Sequence, residues 1–104
     1  MTDKEYKKRL KSAPPQKSRE FLTFLKKKNE VVWESKKFNW LIIVNCKYDT
    51  PEIPWLTAFY TKSGMPGPES LGVLFSVYRD WEILKKSPSR QTVPGRFHLH
   101  LIRK

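Results

Sequence analysis

Two histidines stand two residues apart near the end of the chain, in Arg96-Phe97-His98-Leu99-His100-Leu101-Ile102. Side chains of an extended strand alternate between faces, so His98 and His100 share one face with Arg96 before them. Phe97, Leu99 and Leu101 fall on the opposite, apolar face. The strand is therefore expected to show a polar face of Arg96, His98 and His100 and to bury the other; a solvated edge strand has the same pattern. Two same-face imidazoles sit roughly 6–7 Å apart at the backbone. One can attack phosphorus as a nucleophile while the other orients it or holds charge. Arg96 can grip phosphate oxygens through paired N–H donors. A metal held by His98, His100 and Cys46 is the weaker chemistry, because no clear fourth ligand accompanies them. No metal or cofactor is expected.

The charge of the chain points the same way. Its 104 residues carry 21 Lys and Arg against 10 Asp and Glu, a formal net of +11. Such an excess fits a polyanionic partner: a nucleotide, a nucleic acid or an acidic protein face. The first 30 residues hold ten basic and four acidic side chains, so charge is densest there. Lys7, Lys8, Arg9, Lys11, Lys26, Lys27 and Lys28 are the candidate backbone-phosphate contacts in that stretch. Aromatic residues make up 13% of the chain, with four Trp; base stacking suits them, and so does a small core. The length allows one domain. Cys46 is the single cysteine, which excludes an internal disulfide and reads as an inert buried thiol. No run of ~20 apolar residues occurs, and Met1-Thr2-Asp3-Lys4-Glu5-Tyr6 contains no apolar signal-peptide core. A cytoplasmic protein is expected, in the host cytoplasm if the chain is viral.

These residues need elements to hold them. Residues 1–17 are polar and basic and are broken by Pro14-Pro15, so they read as a basic arm with at most one short helix. The remainder, 18–104, reads as a single domain. Ser18 caps a helix to about Lys28, with Glu20 in its first turn and Lys26-Lys27-Lys28 in its last, each sign matched to the helix dipole. Val31–Ser35 and Trp40–Cys46 read as strands joined by a tight basic turn, the second covered on both faces. Trp55–Thr61 is a third strand. Leu71, Leu74, Phe75 and Tyr78 have helical spacing, and Glu69-Ser70 gives that helix its start. Trp81–Leu84 and the histidine segment are the last strands. The order predicts an α+β fold, a mostly antiparallel five-stranded sheet with two helices.

At this point the motif acquires a relative. Arg96-Phe97-His98-Leu99-His100-Leu101-Ile102 resembles the histidine-triad motif, which alternates three histidines with apolar residues, and Gln91-Thr92-Val93 resembles the Gln-Ser/Thr-Val often found just before it. The element order is similar as well. Arg96 stands where the first histidine belongs, and the stretch from Gln91 to Arg96 is one residue longer than usual, through Pro94-Gly95. The resemblance implies a HIT-like fold and a hydrolase or transferase acting on phosphate-linked nucleotides. It also implies that His98 is the nucleophile and His100 the third histidine. Arg90, Gln91 and Thr92, in the loop entering the motif strand, join Arg96 as candidate phosphate contacts.

Two functions follow as expectations. The first is a HIT-like protein that binds a nucleotide or nucleic-acid phosphate beside Arg96, His98 and His100, as a phosphoester hydrolase or nucleotidyl transferase using His98. The second is a non-enzymatic basic module, of a type a virus uses, that grips DNA, RNA or an acidic host protein through its lysines. Membrane partners are not expected, and oligomeric state is not written in the chain.

Overall fold

The computed structural model describes residues 2–85, 93 and 95–103. In chain order the elements are α1 (Asp3–Lys11), α2 (Arg19–Lys28), β1 (Val31–Ser35), β2 (Trp40–Val44), β3 (Trp55–Tyr60), α3 (Pro68–Val77), β4 (Glu82–Leu84) and β5 (His98–Ile102). The fold is α+β. All strand pairs are antiparallel, in one five-stranded sheet of order β1-β2-β3-β5-β4. Among the described residues there are three helices against an expected two, because residues 3–11 of the basic arm are helical.

Local chemistry explains the boundaries. Thr2 caps α1 by accepting from the Glu5 N–H at 3.2 Å, and the helix stops at Ser12, before Pro14-Pro15. Ser18 caps α2 through the Phe21 N–H at 3.3 Å, and the Asn29 side chain donates to the Leu25 carbonyl at its end. Pro68 opens α3, where its missing N–H costs nothing. Between β1 and β2 the chain turns through Asn39 at φ 65°, a left-handed conformation that Asn tolerates.

The alternation of β2 divides the core. Trp40 and Ile42 point to one face, joining Leu56, Ala58, Leu99 and Leu101 beneath Leu74 of α3. Leu41 and Ile43 point to the other, joining Phe59 and Val93 beneath Phe21 and Leu25 of α2. Trp40 is fully buried, and its indole N–H donates to the Ser70 carbonyl at 2.7 Å. That bond ties α3 to the sheet. Among the described residues no helix is long and apolar enough to cross a membrane.

Candidate functional site

Register places the histidines. His100 pairs with Thr57 and His98 with Phe59, and these β3 residues face Ile43 and Leu41 of β2. Both imidazoles therefore lie on the face covered by α2. The sequence expected a polar face there; instead every residue of β5 is buried on both sides, and His98 and His100 are each 5% exposed. The reason is α1. Read as an arm, it is a helix that lays Tyr6, Arg9 and Leu10 against the cleft containing the histidines. Leu10 and Ala13 anchor it to the apolar cluster of α2.

Each imidazole is oriented by its neighbour. His98 Nδ1 lies 3.0 Å from the Arg96 carbonyl, which can only accept, so Nδ1 carries the proton. His98 Nε2 is then the ring's basic nitrogen. His100 Nδ1 accepts from the indole N–H of Trp55 at 2.8 Å. The ring centroids of His98 and His100 are 5.8 Å apart. Around them the turn after β2 is braced by Asn45, whose Oδ1 accepts from the Lys47 and Tyr48 N–H groups and whose Nδ2 donates to Thr57 Oγ1 at 3.0 Å. The cleft at this point has a volume of about 40 Å³, room for water-sized groups and not for a nucleotide.

Arg96 has a different task from the one its position implied. Arg96 is 6% exposed, and its guanidinium donates to three backbone carbonyls: Gln16 at 2.9 Å, Ser18 at 3.0 Å and Tyr60 at 3.2 Å. It staples the α1–α2 connection to the end of β3. Gln16 adds a second clasp by accepting from the Gly95 N–H at 2.8 Å. Burial holds the Arg96 pKa below its ordinary value. No carboxylate pairs with Arg96 among the described residues, so it leaves an unneutralised positive charge in the wall.

That wall belongs to a second, larger cleft of about 370 Å³, within the usual size range of ligand sites. Lys17, Lys62, Lys85 and Arg96 line it with Ser63 and His98. His98 alone of the two histidines borders both clefts. The described lining residues include no carboxylate. Lys85 is steadied over the Phe97 ring, 4.8 Å from its centroid. Residue counting missed Lys17, Lys62 and Lys85 because they are scattered along the chain and converge only through the sheet.

The other candidate residues disperse. Arg90, Gln91 and Thr92 lie outside the described residues. Lys7, Lys8 and Lys11 are exposed on α1, and Lys27 and Lys28 on α2. Lys26 pairs with Glu34 at 2.6 Å. Arg9 turns inward and places Nη1 3.7 Å from Cys46 Sγ, so this half-buried thiol has a cation beside it. Among the described residues no group of three His, Cys, Asp or Glu is arranged to share a metal ion, and His100 Nδ1 is engaged by Trp55. Comparison with family models, curated proteins and solved structures finds no match for this chain.

Proposed function

We propose that the protein binds the phosphate of a nucleotide or nucleic acid in the basic cleft that His98 helps to line. The supporting observation is the lining: Lys17, Lys62, Lys85 and the buried Arg96 converge with His98, and no described carboxylate offsets them. A cleft whose walls carry one sign of charge concentrates ions of the other. Arg96 contributes its positive charge to the wall, while three of its five N–H donors serve backbone carbonyls. The enzymatic form of this reading is a HIT-like phosphoester hydrolase or nucleotidyl transferase. His98 Nε2 suits nucleophilic attack there because the Arg96 carbonyl fixes the proton on Nδ1.

A 5′-phosphorylated single-stranded oligothymidylate is a suitable probe. Three lysines meeting phosphates release roughly 0.7 counterion each, so log K should fall with log salt at a slope of about −2. Fluorescence anisotropy between low and moderate salt measures that slope, and affinity that ignores salt contradicts the proposal. The second reading, a basic module that uses the outer faces of α1 and α2, is favoured by the exposure of Lys7, Lys8, Lys11, Lys27 and Lys28. It predicts a response along those helices, with His98 dispensable.

A further inference from the structure

We infer that Trp55 is a positioning residue that locks His100 as the Nε2–H tautomer, so that the two histidines of the candidate site carry one basic and one protonated Nε2 nitrogen. The argument begins with what an indole can do. Its N–H donates and never accepts, so His100 Nδ1, 2.8 Å away, must be unprotonated. The proton of a neutral His100 is then on Nε2. His98 has the reverse assignment, since the Arg96 carbonyl 3.0 Å from its Nδ1 demands a donor. Two histidines on one strand face are thereby made chemically unequal by partners from different parts of the chain.

Trp55 is held for this task. Its backbone N–H donates to Asp49 Oδ1 at 2.8 Å. Its ring lies on Tyr48, with centroids 4.8 Å apart, and Lys47 Nζ lies 4.9 Å from the Tyr48 ring centroid on the same turn. The ring also meets His100 edge to face at 5.8 Å. The polar neighbours that share the histidine cleft are Asn29 after α2, Asn45, Cys46, Lys47 and Tyr48 of the turn, Thr57 of β3, and Tyr6 and Arg9 of α1. No carboxylate is among the described residues there.

Of the pair only His98 borders the basic cleft, so the phosphate reading needs its basic Nε2, and the lock keeps His100 a fixed donor beside it. This role rests on the phosphate reading above, whereas the tautomers can be measured without any ligand. Long-range ¹H–¹⁵N correlation spectra of the full chain near neutral pH report them directly. Expected are a pyridine-type Nδ1 and a pyrrole-type Nε2 at His100, and the reverse at His98. In Trp55→Phe the His100 nitrogens should move toward averaged values while those of His98 stay fixed. A wild-type His100 protonated on Nδ1 overturns the inference, and so do His100 nitrogens unmoved by Trp55→Phe. The wild-type spectrum decides the tautomers even where the variant fails to fold. Tautomers as stated, with no saturable response to phosphate, overturn the phosphate reading and leave the lock standing.

Discussion

Arg96→Ala is expected to lower stability by about 4 kcal/mol. Three bonds from a charged donor vanish together, each worth roughly 1.5–3 kcal/mol in a buried setting. The sum is smaller because the Gln16 and Ser18 carbonyls are only part-buried and can find water, whereas the Tyr60 carbonyl is left buried. Loss of the buried charge itself returns something, since desolvating a cation is costly. Domains of this kind are held by roughly 5–15 kcal/mol, so the loss is a large fraction of the whole. Thermal unfolding followed by circular dichroism should show a midpoint more than ~15 °C lower. Arg96→Lys should fall between, because an ammonium keeps the charge and cannot span three divergent carbonyls. A loss below about 1 kcal/mol for Arg96→Ala contradicts the staple.

The largest functional effect is expected from Lys17, Lys62 and Lys85 changed together to Ala. All three are exposed, so each contact with phosphate is worth about 1 kcal/mol rather than the value for a dry pair. Three such contacts amount to ~3 kcal/mol, close to a hundredfold in affinity. Lys7, Lys8 and Lys11 changed to Ala on α1 remove the same net charge from a different surface. That control should weaken binding less than about threefold if the cleft, and not overall charge, holds the ligand. Isothermal titration with inorganic phosphate and with the oligothymidylate measures both variants. Equal losses in the two place the affinity in net charge and contradict a cleft site.

Much of this molecule is legible from local pattern. The alternation of β2 and β5, the Ser18 cap and basic end of α2, and the spacing of Leu71, Leu74 and Tyr78 each follow from backbone periodicity, and each element forms where that periodicity requires. The pairing of His98 and His100 on one face is equally local. What pattern cannot carry is the partner of a side chain. Arg96 looks like a phosphate residue beside two histidines, yet its carbonyl partners lie 36, 78 and 80 residues away in sequence. The Trp55–His100 bond spans 45 residues. The docking of α1 rests on few apolar residues, chiefly Tyr6, Leu10 and Ala13, in a segment otherwise polar. Hydropathy therefore reads that segment as an arm, and the cover over the histidines stays hidden until the sheet is assembled. The three cleft lysines are invisible for the same reason.

The most direct test of the phosphate site is chemical-shift mapping of the full chain titrated with thymidine 5′-monophosphate. The account predicts saturable shifts at the His98 ring and at the backbone amides of Ser63, Gly64 and Gly95, which border the basic cleft. Shifts confined to the lysines of α1 and α2, with a silent His98, contradict it and leave a basic binding module.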